Sequence, residues 1–172
     1  LEIGSGKGTF VVRHATEMPD VNVIGIEYAR AYWRHAADRC RRHGLRNVKI
    51  VHTEAAFFVR HYVPAMSLRR VHIYFPDPWP KARHHKRRLI TEAFLRLMHQ
   101  KMEPDATIRI VTDHDDYHEW ILAAIARITE LFEPLPWPAN DGAEDGELVG
   151  TNYARKFRRR SQECHGVVLR RQ

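Results

Sequence analysis

Hydrophobic and polar residues follow two alternating patterns along most of this 172-residue chain. Short, nearly continuous apolar runs such as "NVIGIE" and "RRVHIYF" predict buried strands. Between them, stretches such as residues 89–102 place apolar side chains three and four positions apart, which is typical of amphipathic helices. Because strands alternate with helices, the pattern predicts right-handed βαβ units and a mostly parallel sheet covered on both faces.

The predicted elements run from one end of the chain to the other. We predict strands at "LEIG", "NVIGIE", "NVKIVH", "RRVHIYF", "ATIRIVTD", "FEPLPW" and "CHGVVLRR", and helices over residues 9–18, 30–43, 54–62, 89–102 and about 120–128. The first strand is so short that we expect upstream sequence to be missing. Ligands of parallel sheets bind where the strands end, so the residues that follow each strand form the candidate site.

The charge of the chain adds a candidate partner. The net charge is +7, and two segments, residues 76–101 and 155–172, each carry seven lysines and arginines. Two basic clusters favour a polyanion as partner, with nucleic acid first. The alternative is a solvated basic surface without a partner.

The composition of the chain argues against several classes of function. Cys40 and Cys164 lie far apart and form no CxxC pair, which indicates a reducing compartment and argues against a zinc ribbon. We see no signal peptide and no apolar run long enough to cross a membrane, so we expect a cytoplasmic protein. His114 and His118 are four positions apart, but no acidic or cysteine partner completes a ligand set, so we expect no metal site.

The turn after the first strand is rich in glycine. Gly4, Gly6 and Gly8 have GxGxG spacing, which matches neither the dinucleotide fingerprint nor the P-loop. Glycines let the backbone turn tightly and approach a ligand closely. Glu2 stands just before them and can accept a hydrogen bond from an amino acid's ammonium group, directly or through water. The alternative is an ordinary turn between a strand and a helix.

Acidic residues also follow the second and third strands. Glu27 is placed to accept two hydrogen bonds from a ribose diol, and Glu54 to take an adenine amino group or solvent. Taken singly, each is equally well a helix cap or a surface charge. Together with the glycine turn, they resemble the cofactor site of class I S-adenosylmethionine methyltransferases.

The segment "FPDPWPKARHHKRR" follows the fourth strand and carries a more specific resemblance. With it, the chain resembles the bacterial tRNA (guanine-N7)-methyltransferases over nearly its whole length. "IGIE", "TEA", "TD" and "GTNYARKFRRR" match further family segments in the same order. Two departures stand out: Ala154 replaces the glutamate of the family's late segment, and the family's N-terminal extension is absent before the first strand.

The resemblance implies a fold, a cofactor and a reaction. We expect an α/β fold with a doubly wound, mostly parallel seven-stranded sheet of the Rossmann-like class I methyltransferase type, as a single domain over residues 1–172. The implied cofactor is S-adenosylmethionine, the implied partner is tRNA, and the implied product is N7-methylguanosine in the variable loop. Two alternatives stay open: a non-catalytic RNA-binding module, favoured by Ala154, and a methyltransferase with a different substrate. The oligomeric state stays open as well.

The resemblance also assigns roles to individual residues. The catalytic residue would be Asp77, although a turn-capping aspartate is the alternative. Trp79 would stack on a base or pack the loop against the domain. The cofactor-binding residues would be Glu2, Gly4, Gly6, Gly8, Glu27, Glu54 and Asp77; the substrate-binding residues Lys81, Asp113, Thr151, Asn152, Tyr153 and Ala154; and the RNA phosphate contacts Arg83, Lys86, Arg87, Arg88, Arg155, Lys156 and Arg158, with Arg159 and Arg160 beside them.

Overall fold

A computed structural model describes residues 1–138, 151 and 164–172 of the chain. Strands and helices alternate along the sequence as predicted. The strands are β1 (Glu2–Ile3), β2 (Val23–Glu27), β3 (Val48–His52), β4 (Leu68–Tyr74), β5 (Met102–Thr112), β6 (Phe132–Leu135) and β7 (His165–Arg171). The helices are α1 (Thr9–Glu17), α2 (Arg30–Arg42), α3 (Ala55–Tyr62), α4 (Glu92–Lys101) and α5 (Asp115–Ile125), with a 3-10 helix at Ala82–Arg87.

All seven strands form one sheet in the order β3-β2-β1-β4-β5-β7-β6. Strands β1 to β5 are parallel, whereas β7 pairs antiparallel with both β5 and β6. The order reverses at β1, which has β2 on one side and β4 on the other. In open parallel sheets such a reversal opens a crevice at the carboxyl ends of the two strands that diverge there. The predicted doubly wound, mostly parallel sheet of seven strands is confirmed.

Helices cover both faces of the sheet. Successive residues of β4 point to opposite faces. Val71 and Ile73 join a large apolar cluster with α3, α4 and α5, whereas Tyr74 packs against Phe10 of α1. A separate cluster packs α1 and α2 against β2 through residues that include Val11. The two-sided burial explains why the strand sequences are almost continuously apolar.

Three elements have boundaries that differ from the predictions by three residues or more. Helix α5 covers Asp115–Ile125 rather than about 120–128, with two acidic residues in its first turn that suit a helix N-terminus. Helix α4 begins at Glu92 rather than at residue 89, because the Thr91 side chain accepts a hydrogen bond from the Phe94 amide and so caps the helix there. Strand β5 begins at Met102, before Pro104, and its pairing with β4 shifts register between Leu68 and Arg70. In the part of the chain that the structure describes, no helix is long and apolar enough to cross a membrane.

Candidate active site

A cavity of about 1060 Å³ opens where the strand order reverses. Its walls come from the turn after β1, the ends of β2 and β4, and the segments that follow them. Six of the predicted cofactor residues line it together: Glu2, Gly4, Gly6, Glu27, Glu54 and Asp77. The arrangement that the sequence predicted, with acidic side chains gathered at one edge of the sheet, is therefore present.

The glycine turn, residues 4–8, forms one wall of this cavity. Gly4 and Gly6 have φ angles of 79° and 52°, in the left-handed region that glycine adopts readily. A Cβ atom added at either position would meet no atom within 4 Å, so both glycines face open space that a ligand can occupy. Gly8 does not line the cavity, because it packs against Ala36 of α2 at the start of α1.

Glu27 fastens the glycine turn to the end of β2. Its Oε2 accepts a hydrogen bond of 2.8 Å from the Gly6 amide, and its Oε1 accepts one of 2.7 Å from the Ala29 amide. Each carboxylate oxygen keeps a second lone pair. The side chain therefore holds the backbone in place and still offers two acceptors to a ligand diol.

Glu2 is the most buried acidic residue at the site. It is only 4% exposed, and burial raises the pKa of its carboxyl group to about 8. Its Oε2 has no hydrogen-bond partner among the described residues. A buried polar atom without a partner calls for an explanation, and an ammonium group of a ligand in the cavity would supply the missing donor.

Glu54 has a local role that the sequence left open. Its carboxylate accepts hydrogen bonds of 2.8 and 2.7 Å from the amides of Ala56 and Phe57, so it caps the N-terminus of α3. The side chain is exposed at the cavity wall. The helix-cap alternative therefore describes its contacts, and the predicted contact with adenine stays a prediction.

The Asp77 loop, residues 75–80, follows β4, the neighbour of β1 in the sheet, and forms another part of the cavity wall. Phe75 and Trp79 have φ angles of 53° and 45°, which are unusual for residues other than glycine. The Phe75 amide donates to the Val111 carbonyl at 2.8 Å, and the Arg88 Nε donates to the Pro78 carbonyl at 2.8 Å. Asp77 lies exposed between these two anchors and faces the cavity.

Cations border the cavity beside this loop. Lys86 and Arg87 are exposed and line it, and the Arg87 guanidinium lies 4.9 Å from the ring centroid of Trp79. Trp79 thus packs against the 3-10 helix that follows its loop, and its predicted stacking on a base stays a prediction. Lys81 and Arg83 are exposed but do not line the cavity.

Arg88 differs from its predicted role as a phosphate contact. Its side chain is 0% exposed and forms an ion pair with Asp116 of α5. The guanidinium also lies 5.0 and 5.1 Å from the ring centroids of Tyr117 and Trp120. Arg88 contributes to the cavity wall, but a guanidinium enclosed in this way does not reach a phosphate at the surface, so we correct this prediction.

The remaining predicted residues divide into two groups. Asp113 follows β5 at the same edge of the sheet but does not line the cavity, whereas Thr151 is buried and lines it. The predictions for Asn152, Tyr153, Ala154, Arg155, Lys156, Arg158, Arg159 and Arg160 fall outside the described residues. Within the described residues, no cluster of histidine, cysteine, aspartate or glutamate has the arrangement of a metal site.

Aromatic residues at the cavity were missed from the sequence. Phe10 and Tyr74 line it and contact each other edge to face, with ring centroids 5.0 Å apart. Tyr28 and Tyr32 line it beside Glu27, and Tyr28 is 75% exposed. A large aromatic residue directly after the acidic end of β2 was a signal for Tyr28. The other three have no comparable signal, because they resemble ordinary core or helix-surface positions.

The strand order and the cavity at its reversal define a class I, Rossmann-like methyltransferase fold. Solved structures share this fold at low identity. TrmN from Thermus thermophilus matches with a TM-score of 0.68 at 15% identity, over 99% of this chain and 43% of that one. An rRNA methylase from Streptococcus thermophilus matches with a TM-score of 0.63 at 12% identity, over 99% of this chain and 85% of that one.

Sequence comparisons define the family more closely. Residues 1–166 match a family model described as "Putative methyltransferase". A relative from Halorhodospira halophila is 34% identical over 99% of this chain and 73% of its own length. One from Nitrosococcus oceani is 39% identical over 97% and 67%, and one from Nitrosomonas eutropha is 42% identical over 68% and 52%. All three are named tRNA (guanine-N(7)-)-methyltransferase.

The chain belongs to the tRNA (guanine-N(7)-)-methyltransferase family. It spans about half to three quarters of the length of these three relatives.

Proposed function

We propose that this chain transfers a methyl group from S-adenosylmethionine to N7 of a guanine in the tRNA variable loop, forming N7-methylguanosine. The observation that carries the proposal is the shared cavity: Glu2, Glu27 and Asp77 line it together, beside the exposed cations Lys86 and Arg87. The names of the relatives point to the same substrate and the same atom.

The residues at the β1–β2 side of the cavity fit S-adenosylmethionine. This cofactor supplies an electrophilic methyl group on a sulfonium. Glu2 would accept a hydrogen bond from its ammonium group, which explains why a buried carboxylate oxygen has no partner among the described residues. Glu27 would accept from the ribose hydroxyls with the lone pairs that its two backbone contacts leave over. The open space at Gly4 and Gly6 lets a ligand approach the backbone.

The chemistry at the guanine needs position more than proton transfer. N7 carries a lone pair and is an acceptor on the Hoogsteen edge, so no general base has to act on it. Correct placement of two reacting groups can lower a barrier by roughly 7–11 kcal/mol in favourable cases. The guanine becomes positively charged as its N7 is methylated, and we assign the Asp77 carboxylate to stabilise that charge.

The cations beside the Asp77 loop would hold the RNA. Lys81, Arg83, Lys86 and Arg87 are all exposed and fit contacts with phosphates. The target guanine has to leave its stack to enter the cavity, much as in base flipping. We also propose that residues 1–172 form one domain, a proposal supported by the single sheet that joins β1 to β7.

The direct test is transfer of a labelled methyl group to bulk tRNA, with the product identified by mass spectrometry of the nucleosides. We expect N7-methylguanosine. Failure of S-adenosylmethionine to bind in calorimetry would favour the non-catalytic RNA-binding module. Binding of the cofactor without N7-methylguanosine would favour a different substrate. Ala154→Glu, assayed beside the natural chain, tests whether the departure at that position limits the rate.

A further inference from the structure

We propose that Arg88 is a positioning residue, whose buried guanidinium ties the Asp77 loop to helix α5 and thereby fixes where the Asp77 carboxylate lies. The inference rests on the proposed function, because it assumes that Asp77 acts at the guanine. It assigns to Arg88 a task unlike that of its basic neighbours in the sequence. Those neighbours, Lys86 and Arg87, are exposed, whereas Arg88 turns inward.

We call the contacts of the Arg88 guanidinium with Pro78 and with helix α5 the brace. One end of the brace lies on the Asp77 loop itself. The Arg88 Nε donates a hydrogen bond of 2.8 Å to the carbonyl of Pro78, the residue that directly follows Asp77. The loop contains two non-glycine residues with positive φ angles, Phe75 and Trp79. Such backbone conformations persist only where the surrounding structure holds them. The Phe75 amide is held by Val111, and Arg88 supplies the corresponding restraint on the far side of Asp77.

The other end of the brace lies on α5. The Arg88 Nη2 donates to Asp116 in the first turn of the helix, and the guanidinium packs against the rings of Tyr117 and Trp120. The same two aromatic residues bind Ile90: the Tyr117 hydroxyl accepts from its amide at 3.1 Å, and the Trp120 Nε1 donates to its carbonyl at 2.7 Å. Arg88 and the chain that follows it as far as Ile90 are therefore anchored to α5.

Only an arginine can make these contacts at once. The guanidinium is planar and carries donors that point in fixed, divergent directions, so it can reach Pro78 and Asp116 while it packs against the rings. A lysine carries a single ammonium nitrogen on a flexible stem and cannot reproduce this fork. Arg88→Lys keeps the charge and approximately the volume and removes the brace, which makes it the informative substitution.

The first experiment compares Arg88→Lys and Asp116→Asn with Arg170→Lys. Arg170 donates through its Nε and Nη2 to Glu133 at the β6–β7 edge and does not line the cavity, so its substitution breaks a similar fork elsewhere. We expect the first two variants to lose about tenfold or more in kcat on tRNA, because misplacement of a reacting group by about 1 Å costs that much or more. The affinity for S-adenosylmethionine should change less than about twofold, and Arg170→Lys should retain kcat. Folded Arg88→Lys and Asp116→Asn variants with unchanged kcat would overturn the proposal.

The second experiment asks whether Arg88 acts through Asp77. In an Asp77→Asn background, Arg88→Lys should cause little further loss of kcat, because both changes remove the same effect. If the two losses multiply, Arg88 acts by another route and the proposal fails. If Arg88→Lys does not fold, the same double-mutant cycle with Asp77→Asn can be measured with Asp116→Asn. The Asp116 side chain is 54% exposed, so we expect this variant to fold.

The third experiment does not depend on activity. With 5-fluorotryptophan in the protein, the fluorine resonance of Trp79, assigned by Trp79→Phe, reports on the loop. We expect it to move toward its unfolded position in Arg88→Lys and Asp116→Asn, and to stay in place in Arg170→Lys. An unchanged Trp79 resonance overturns the brace. If the variants show this response while the wild-type protein forms no N7-methylguanosine, the result would contradict the proposed function and leave the brace standing.

Discussion

The glycine turn and the Asp77 loop line one cavity, yet they are built in opposite ways. The glycine turn is held by a carboxylate: Glu27 accepts hydrogen bonds from backbone amides and leaves open space beside Gly4 and Gly6. The Asp77 loop is held by a cation: Arg88 donates to the Pro78 carbonyl from a buried position. Prolines and two strained residues stiffen it where the other turn uses glycines.

The difference separates two tasks at one site. The glycine turn has backbone that no side chain covers, and the carboxylates beside it are buried. These features suit a ligand that carries an ammonium group and a diol. A stiff loop that presents one exposed carboxylate beside exposed cations suits a reaction centre on a polyanion. Changes in the glycine turn should therefore act on cofactor affinity, and changes in the Asp77 loop should act on turnover and RNA binding.

The largest expected effect concerns the Asp77 loop. Asp77→Asn should lower kcat by about 10²–10³-fold, the size seen when one preorganised electrostatic group is removed. The affinity for tRNA, measured by filter binding, should stay within about twofold, since an exposed loop residue is replaced by one of the same shape. Asp105→Asn is the matched control, because Asp105 is an exposed aspartate at the start of β5 with a φ angle of 61°. Unchanged turnover in Asp77→Asn would remove the distinction between the two loops.

The next effect concerns the glycine turn. Gly4→Ala should weaken S-adenosylmethionine binding by about 10–100-fold in calorimetry, because the new methyl group occupies the open space where the ligand would approach. Gly44→Ala has the same kind of positive φ angle and equally open surroundings but lies outside the cavity. Both variants should lose about 1–2 kcal/mol of unfolding free energy from backbone strain. Equal cofactor affinity in the two variants would show that the turn does not contact the ligand.

A third prediction uses the pKa of Glu2. Because the folded-state pKa of about 8 exceeds the ordinary glutamate pKa of 4.5, Glu2 holds a proton between these two pH values in the folded protein that the unfolded chain has lost. Without cofactor, the contribution of Glu2 to the free energy of unfolding should therefore fall as the pH rises from about 5 to about 8. Glu2→Gln should flatten this dependence in urea titrations at several pH values.

The same group predicts proton release on cofactor binding. An ammonium group beside Glu2 stabilises the carboxylate, so binding at pH 7 should release about one proton from the wild-type protein. Calorimetry in two buffers with different ionisation enthalpies measures this number. Proton release of the same size from Glu2→Gln would contradict the assignment of Glu2 to the ammonium group.

The smallest expected effect concerns single cations at the RNA side. Arg83→Ala should lower tRNA affinity a few-fold and reduce the slope of log affinity against log salt by about one. Arg69→Ala is the control, because Arg69 is 81% exposed at the start of β4, at the end opposite the Asp77 loop. Equal salt slopes in the two variants would place the RNA elsewhere on the surface.

The sequence predicted the strand ends better than the contacts around them. Apolar runs bounded by acidic residues located Glu27 and Asp77 correctly, because a parallel sheet brings the ends of its strands to one edge. The inward turn of Arg88 was missed, because its partners Tyr117 and Trp120 lie about thirty residues later. A run of like charges does not indicate which cation is buried, since burial depends on tertiary packing. The start of β5 at Met102, before Pro104, was also missed, because its pairing with Leu68 of β4 depends on tertiary structure.

The packing of Gly8 against Ala36 has a consequence for anyone who redesigns this protein. A Cβ atom at Gly8 would lie 3.0 Å from the Ala36 Cβ and 3.1 Å from the Ala36 Cα, and Ala36 is fully buried. A side chain at Gly8 therefore requires Ala36 to shift by a few tenths of an ångström and has to adopt a positive φ angle, so substitutions at Gly8 should lower stability. Substitutions at the open glycines, Gly4 and Gly6, add side-chain volume to the cavity and so should favour smaller cofactor analogues, whereas the pair of Gly8 and Ala36 has to be kept as it is.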